Sequence, residues 1–315
     1  MGRTALAGWL ALVACGCPEQ RTADGLAGIG VPMENLSTST AERLTMTPVG
    51  LLDRRLVPEC SGFAASRLYP GVVWTHSDSG NNAVVVALRA DGSVVQPAGA
   101  GAGFAGVQLQ GAKNTDWEAV AFDGKGNLTV ADMGNNRSHR RDLSLWICPE
   151  PDPYRDMRVA ATKMPVRYAD QQEVPDGKRR FDCEAIFWWR SEWHALTKRH
   201  SDTGAVLYRL ERQQDGSGLF KPVVSFDSQG LVTDAAVSPD GRMLAVLTYH
   251  SVWLFLLPEV GDNPLAGSVL HRWLAFPVEG SQVEAITFLD AERLLIGAEQ
   301  GQLYTLEISR LEKVR

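Results

Sequence analysis

An acidic residue followed by small and apolar residues recurs five times along this 315-residue chain, and this repeat limits the fold more than any other feature. The five acids, at intervals of 59, 66, 50 and 50 residues, are Glu59, Glu118, Glu184, Asp234 and Glu284. After each acid come an apolar run, a turn such as SPDG or DGKG, and a second apolar run, which is the pattern of a β-hairpin. Internal repetition at this spacing is typical of propeller blades.

A third strand follows the hairpin in each repeat, as in AVVVAL, LSLWIC and VWLFLL, and a less regular fourth strand follows most of them. Four antiparallel strands per repeat make a blade. The last repeat ends near Ile308 with room for three strands, whereas the segment RLTMTPVGLL from Arg43 has no partner of its own. We therefore expect an all-β propeller of five blades, with an N-terminal strand closing the ring. Six blades are the alternative, because the interval between the second and third acids is long.

The N-terminus has the pattern of an exported protein. Residues 1–14 place Arg3 before an apolar run too short to span a bilayer, which predicts a signal peptide. The run ends in LVAC, which resembles the lipobox of bacterial lipoproteins and makes Cys15 the expected lipidation site. A plain signal peptide cut near Cys17 is the alternative. Residues 15–43 are predicted to be a flexible tether and residues 44–315 the propeller domain, a monomer anchored by its lipid to the bacterial cell envelope.

Charge and cysteine content limit the partners and the chemistry. The formal net charge is −6 and no long run of Lys or Arg occurs, which argues against nucleic acid and leaves a small molecule or a protein as the expected ligand. Beyond the tether only Cys60, Cys148 and Cys183 remain, and their spacing does not match a zinc site. An exported protein permits a disulfide among them.

The geometry of a propeller places the repeated acids on one face. The first strand of each blade is innermost, and the loop entering it lies on the same face as the loop between the second and third strands. The ends of the second strands therefore lie beside the acids, and their variation between repeats is what a ligand-binding face would show. Beyond the five acids, the candidates on this face are His76, Asp78, Asn81, Lys198, Arg199, His200, Tyr249, His250 and Glu299.

Carboxylates around a narrow channel repel one another and lose water, so they need protons, hydrogen bonds or a cation. Calcium takes six to eight oxygen ligands. The most calcium-like set in the sequence is Glu118, Asp132, Asn135 and Asn136. The structural alternative, in which each acid accepts backbone N–H groups and fixes blade packing, is equally open, because packing is needed once in every blade.

Two further acids and two cations have their own expected roles. Asp116 and Asp182, each two residues ahead of a repeated Glu, are expected to cap the entering turns. Strand alternation sends Lys198 to one side and Arg199 to the other. Either cation would grip an anion such as a phosphate ester near a metal, with a salt bridge to a ring glutamate as an equal alternative.

The motifs HSDSGN, DWEAVAFDGKGNLTVADMGNN and CEAI, within residues 59–202, are similar to those of secreted bacterial propeller proteins of mostly unknown function. That group is similar in style to phytase-like and esterase-like propellers. The phytase-like resemblance implies calcium and phosphate binding through Glu118, Asp132 and Glu184, with Lys198 or Arg199 on the phosphate. The chain departs from phytases by lacking their dense acidic tracts and, on the repeat count, one blade.

The function expected from the sequence is that of a cell-envelope lipoprotein whose propeller face binds a ligand through calcium. A calcium-dependent phosphoesterase acting through metal-activated water is one alternative. A propeller glycosidase using a pair of acids is the other. Nothing in the sequence compels a nucleophile or a base, so whether the protein is an enzyme is left open.

Overall fold

The computed structural model describes residues 30–276 and 281–315. The regular elements in these residues are β-strands, apart from one short 3-10 helix at Ile308–Arg310. The predicted signal peptide and the predicted lipidation at Cys15 lie outside the described residues. Among the residues that are described, no helix has the length and hydrophobicity needed to cross a membrane.

The strands form five sets of four, antiparallel within each set. The first set is β4 (Cys60–Ala65), β5 (Val73–Ser77), β6 (Val84–Leu88) and β8 (Val107–Gln110). The second is β9 (Trp117–Phe122), β10 (Asn127–Asp132), β11 (Ser144–Pro149) and β13 (Thr162–Tyr168). The third is β14 (Asp182–Trp189), β15 (Glu192–Lys198), β16 (Gly204–Arg212) and β17 (Gly218–Asp227).

The fourth set is β18 (Val232–Val237), β19 (Met243–Thr248), β20 (Ser251–Leu256) and β21 (Val269–Ala275). The fifth is β22 (Val283–Phe288), β23 (Arg293–Ala298), β24 (Gln302–Glu307) and β3 (Thr47–Leu51). Short strands extend the outer edges, namely β1 (Met33–Glu34), β2 (Leu44–Thr45), β7 (Val94–Val95), β12 (Arg158–Ala160) and β25 (Glu312–Lys313).

The innermost strands of the five sets contact one another in a closed cycle. Strand β4 contacts β9, β9 contacts β14, β14 contacts β18, β18 contacts β22, and β22 contacts β4. This cycle around a central channel is the arrangement of a β-propeller, so the predicted fold class is confirmed. The fifth set is completed by β3 from the N-terminal side, which pairs antiparallel with β24 as the unpartnered segment from Arg43 predicted.

Burial follows the position of each strand in its sheet. The inner strand β9 is buried at five of its six residues, because neighbouring sheets cover both of its faces. The outer strand β13 instead alternates, with Met164, Val166 and Tyr168 buried and the residues between them exposed. Large aromatic side chains such as Trp117 and Trp253, both fully buried, fill the space between sheets.

Residues 30–43 lie along the outer edges of the third and fourth sheets. Strand β1 pairs in parallel with β17, and Ser39 is buried, with its N–H donating to Nδ1 of His271 at 3.0 Å. The hydroxyl of Ser39 also donates to Glu312. The flexible tether predicted for residues 15–43 therefore does not extend over this part of the chain.

The three cysteines of the domain are buried and unpaired. Cys60, Cys148 and Cys183 all carry free thiols, so the disulfide that an exported protein permits does not form among them. Burial raises the pKa of the Cys60 thiol to about 12 and that of Cys148 to about 12. Thiols with such a high pKa are not nucleophilic, and these residues act as small apolar side chains of the core.

Candidate functional site

Three of the repeated acids occupy the same place in their sheets, at a β-bulge of the innermost strand. In the second sheet Ala131 pairs with Ala119 and Asp132 with Trp117, so the register skips Glu118. The register skips Glu184 in the third sheet and Glu284 in the fifth in the same way. A bulge adds one residue to a strand and re-aims its side chain. The bulges thus direct these three glutamates to one face of the propeller.

The fourth sheet places its bulge one residue earlier. Val232 pairs with Thr248 and Asp234 with Leu247, so Thr233 is the skipped residue. Asp234 therefore holds the position of an alanine in the other sheets. This corrects the predicted ring, in which Asp234 was aligned with the glutamates.

The carboxylate of Asp234 is fully buried and bonded to the backbone of three sheets. It accepts N–H groups from Ile286 at 2.7 Å, from Ala235 at 2.7 Å and from Phe63 at 3.3 Å. Burial raises the pKa of Asp234 well above its ordinary value. This residue is the packing device that the structural alternative described for the whole ring.

The fifth predicted acid, Glu59, precedes the inner strand of the first sheet. The register of that sheet skips Ser61 and Gly62, so Ser61 lies where the other sheets carry a bulged glutamate. The Ser61 hydroxyl donates to Oε2 of Glu118 at 3.2 Å. Glu59 accepts a hydrogen bond at 3.3 Å from the side-chain amide of Asn81.

Two overlapping groups of carboxylates form around Glu118. In what we call the outer acid group, Asp78, Asp116 and Glu118 each place one oxygen within 4.8 Å of the others. In the inner acid group, Glu118, Asp182 and Glu184 do the same. The inner group is buried throughout, whereas Asp78 and Asp116 are partly exposed. Glu118 therefore belongs to a solvent-accessible acidic group and to a dry one.

Burial and mutual repulsion shift the pKa values of these acids upward. The pKa of Asp116 rises to about 7, first because of burial and then because of Asp78. Burial and Glu184 raise the pKa of Glu118 well above its ordinary value. The pKa of Glu284 rises to about 7 through burial and the neighbouring Glu299. The face thus carries more carboxylates than it can keep ionised without a compensating cation.

The glycine of the ADMGNN motif touches the outer acid group. A Cβ atom at Gly134 would lie 2.6 Å from Cγ of Asp116 and 2.6 Å from Oε1 of Glu118. The Gly134 N–H donates to the Asp116 carbonyl at 3.0 Å, which holds the two segments together. Any side chain at this position would displace the carboxylates, so the acid group requires glycine here.

The polar residues around this glycine support the loop. Oδ1 of Asp132 accepts hydrogen bonds from the Arg140 guanidinium at 2.8 Å and from the Asp116 N–H at 3.0 Å. Oδ1 of Asn135 accepts the Arg140 N–H at 3.0 Å, and Asn136 is exposed. Of the calcium set predicted from Glu118, Asp132, Asn135 and Asn136, only Glu118 belongs to the acid groups.

Lys198 is buried beside the acid groups and is bonded to a glutamate. Its Nζ lies 3.0 Å from Oε2 of Glu184 and 5.2 Å from the centre of the Tyr249 ring. The Tyr249 hydroxyl in turn donates to Oε1 of Glu284 at 3.1 Å. Glu184 and other nearby acids raise the pKa of Lys198 well above its ordinary value despite its burial, so the ammonium stays charged.

The neighbours of Lys198 are also committed to acids. Arg199 points to the opposite side of the strand end, where it is buried and bonded to Asp202 at 2.8 Å. Nε2 of His200 lies 2.6 Å from Oδ2 of Asp182, whose other oxygen accepts the Asn135 N–H. Asp182 thus caps the loop at Asn135 and also contributes to the inner acid group.

The remaining candidates lie away from the acid groups or at their rim. His76 is fully buried against Trp117, and burial lowers its pKa to about 4, so it is neutral and part of the core. His250 is exposed, and the centre of its ring lies 6.4 Å from that of Tyr249. Glu299 is partly buried, and burial together with Glu59 raises its pKa.

A cavity lies at the other end of the channel. It measures about 500 Å³ and is lined where the inner strands end, by residues that include Phe63, Phe122, Ile186, Val237 and Phe288. Arg67 is the one charged side chain in its lining. The apolar space and the titratable groups therefore occupy opposite mouths of the same channel.

Comparisons with known proteins found only distant structural similarity. No protein-family model matches the chain, and a search of curated proteins found no match. The PQQ-bound aldose sugar dehydrogenase of Streptomyces coelicolor is similar with a TM-score of 0.48 and 10% identity, over 87% of this chain and 99% of that one. A gluconolactonase of Xanthomonas campestris is similar with a TM-score of 0.44 and 15% identity, over 88% of this chain and 98% of that one. Similarity this distant says nothing about the chemistry of the acid face.

The structure also assigns importance to residues that the sequence pattern undervalued. Asp116 was expected only to cap a turn, yet its carboxylate lies in the outer acid group. The signal was present as a repeated Asp-x-Glu pattern, since Asp116 precedes Glu118 as Asp182 precedes Glu184. Because both residues of each pattern reach the same face through the bulge, the pattern marks the acid groups better than the glutamate alone.

Proposed function

We propose that the outer acid group binds calcium and holds a ligand at this face of the propeller. The observation that carries the proposal is the convergence of Asp78 with Asp116 and Glu118, from two segments of the chain, with oxygens within 4.8 Å of one another. Three carboxylates at this distance repel one another strongly unless protons or a cation compensate them. A divalent cation would restore their ionised forms at neutral pH.

The donor set suits calcium better than the common transition metals. All three side chains offer oxygen, whereas zinc sites are built mainly from His and Cys. Calcium requires six to eight oxygens, so three monodentate carboxylates leave at least three positions for water or for a ligand. Asp78 and Asp116 are partly exposed, which gives a ligand access to these positions.

The protein holds the carboxylates in place before a cation arrives. The Ser61 hydroxyl fixes one oxygen of Glu118, and the Gly134 loop packs against Asp116 and Glu118. A calcium ion in this group would supply positive charge for oxygen atoms of a small-molecule or protein ligand. We propose ligand binding as the function, with the protein acting as a monomer.

Phosphoester hydrolysis through metal-activated water is the second candidate, because open coordination positions would accept both a water and a substrate oxygen. The cations expected to grip a phosphate do not strengthen it, since Lys198 is bonded to Glu184 and Arg199 to Asp202. A glycosidase would need a protonated acid beside an ionised one, and Asp116 with its pKa of about 7 is its best acid. Screening phosphoesters and glycosides in calcium tests both reactions.

We also propose that the protein is exported and anchored to the cell envelope by a lipid on Cys15. The support is the sequence of residues 1–15, with its apolar run ending at cysteine. A Cys15→Ser variant should move from the membrane fraction to the soluble fraction. A variant that stays in the membrane fraction would contradict the anchor.

Calcium binding is tested by thermal melting of the purified protein in EDTA and after calcium is restored. A ligand that binds only the folded state raises its stability, so the melting temperature should rise reversibly with calcium. Asp116→Asn should abolish this rise. Asp262→Asn, at a side chain 83% exposed, is the matched control and should keep it. A parent protein whose melting ignores calcium would refute the proposal.

A further inference from the structure

The inner acid group contains a buried oxygen that has no partner. Glu184 is 2% exposed, and its Oε1 accepts no hydrogen bond within the described residues. Its other oxygen, Oε2, is bonded to Lys198. A buried acceptor without a donor is unfavourable, and native proteins rarely keep one unless a ligand, water or ion completes it. Oε1 of Glu184 is therefore an available ligand for a cation.

Lys198 already supplies one positive charge to the inner acid group. Its side chain is 8% exposed, and its Nζ lies 3.0 Å from Oε2 of Glu184. It comes from the end of β15, directly opposite Asp182 in the register of the third sheet. The ammonium of lysine is a compact point charge, unlike the broad, planar guanidinium of arginine. This compact charge is bonded to Glu184 and lies close enough to Glu118 and Asp182 to feel their charges, so it can stand in for a metal ion.

We propose that the ammonium of Lys198 fills a second cation position, so that the inner acid group binds a divalent cation only when Lys198 is removed. The ligands of this latent site are carboxylate oxygens of Glu118, Asp182 and Glu184, which lie within 4.8 Å of one another. Asp182 is bonded to His200 and to the Asn135 N–H, but each carboxylate oxygen has more than one acceptor direction. The site goes beyond the outer acid group and is tested separately from it.

Lys198 in this role sets how many metal ions the face holds. Because Glu118 belongs to both groups, a cation in the inner group and one in the outer group would share its carboxylate. A tethered ammonium occupies its position at any calcium concentration and cannot be removed by a chelator. The face therefore keeps one fixed positive charge beside its inner carboxylates and takes up metal only at the solvent-accessible group.

The test is the number of calcium ions bound per chain, measured by equilibrium dialysis on the full-length protein. Lys198→Met should bind one more calcium than the parent. Lys221→Met is the matched control, because Lys221 is an exposed lysine bonded to an acid, Glu211, and it should match the parent. The double variant Lys198→Met with Glu184→Gln removes the ion pair without leaving a net charge, and it should gain no calcium.

Each outcome decides the inference. A folded Lys198→Met protein with the parent's calcium count overturns it. If Lys198→Met unfolds in EDTA, circular dichroism should show refolding when calcium is added, and a variant that stays unfolded in calcium overturns it as well. A parent that binds no calcium while Lys198→Met binds one refutes the outer site and supports the inner one. If the parent and Lys198→Met each bind one calcium, the outer site is supported and the inner one is refuted.

Discussion

The second and fourth sheets carry an acid at the same point of the sequence repeat, yet the two side chains have opposite surroundings. Glu118 is the skipped residue of a bulge and joins two groups of carboxylates. Asp234 lies one residue beyond its bulge and is bonded to three backbone N–H groups. The position of the bulge differs between the two cases, and it decides whether the acid faces the neighbouring backbone or the other carboxylates.

This difference shows how a repeated fold gains a local function. Each of the five sheets has a register shift near the start of its inner strand, which leaves at least one residue of that strand unpaired. A long carboxylate at that residue reaches the open face, whereas Asp234 in register reaches the backbone of the neighbouring strands. A one-residue shift of register therefore converts one role into the other.

Asp234→Ala should give the largest effect, a loss of stability that calcium does not restore. The variant leaves three buried N–H groups without their acceptor, and each such group costs about 1–3 kcal/mol. We expect the free energy of unfolding to fall by about 3 kcal/mol or more. Urea unfolding in calcium and in EDTA measures it. If calcium restores the free energy of unfolding of Asp234→Ala, Asp234 is a metal ligand and does not differ in role from Glu118.

Glu118→Gln should have the opposite character. It removes a negative charge from a repelling group, so stability in EDTA should stay level or rise. The stabilisation by calcium, about 2.7 kcal/mol at a concentration one hundred times the dissociation constant, should disappear. Asp234→Asn should keep a calcium response of the parent's size, however much it lowers stability. Equal calcium responses in Glu118→Gln and the parent would make Glu118 structural too.

Gly134→Ala tests the site without changing its charge. Its Cβ would press on the carboxylates of Asp116 and Glu118 and move them apart. We expect a roughly tenfold loss of calcium affinity, which corresponds to about 1.4 kcal/mol. Gly101→Ala, where a Cβ meets nothing within 4 Å, is the control and should bind calcium as the parent does. Unchanged affinity in Gly134→Ala would show that the outer carboxylates adapt freely.

The last expected effect is the pH dependence of the calcium-free protein. The pKa values of Asp116 and Glu284 are both raised to about 7 in the folded protein, from ordinary values of 3.8 and 4.5. Between those ordinary values and about 7 the folded state holds protons that the unfolded chain has released. Stability should therefore decline as pH rises across this window and level off above it.

Melting temperatures in EDTA from pH 4.5 to 8 measure this decline. The double variant Asp116→Asn with Glu284→Gln removes both titrations and should melt with a flatter pH profile. Calcium should oppose the decline above neutral pH, because the cation replaces the protons lost from the outer acid group. A parent that gains stability between pH 5 and 7 would mean that these carboxylates are ionised already at acidic pH.

The architecture was readable from the sequence because its signals are local and repeated. Turns such as SPDG and DGKG separate the strands, and the acids give the interval between repeats. The segment from Arg43 was recognised as the closing strand because the last repeat is one strand short. The composition of residues 30–43 predicts a free tether. The structure instead pairs Met33 and Glu34 with β17, and a pairing of two residues cannot be recognised from composition.

The site was harder to predict because it depends on register. Thr233-Asp234-Ala235 and Cys183-Glu184-Ala185 look equivalent as sequences, and no local pattern shows that the bulge falls on Thr233 in one and on Glu184 in the other. Asp132 looked like a calcium ligand for a similar reason. In the structure Asp132 accepts a hydrogen bond from the guanidinium of Arg140. Arg140 is eight residues further along the chain, and the conformation of the intervening loop brings it back to Asp132.

The closing strand also affects how the chain can be made. Thr47–Leu51 is synthesised early, but its partner Gln302–Glu307 follows about 250 residues later. Until then strand β3 has no partner strand. The incomplete fifth sheet exposes an unpaired edge, and such edges can pair with other chains and cause aggregation. A ribosome that stops before Gln302 would therefore release a chain whose ring is not closed.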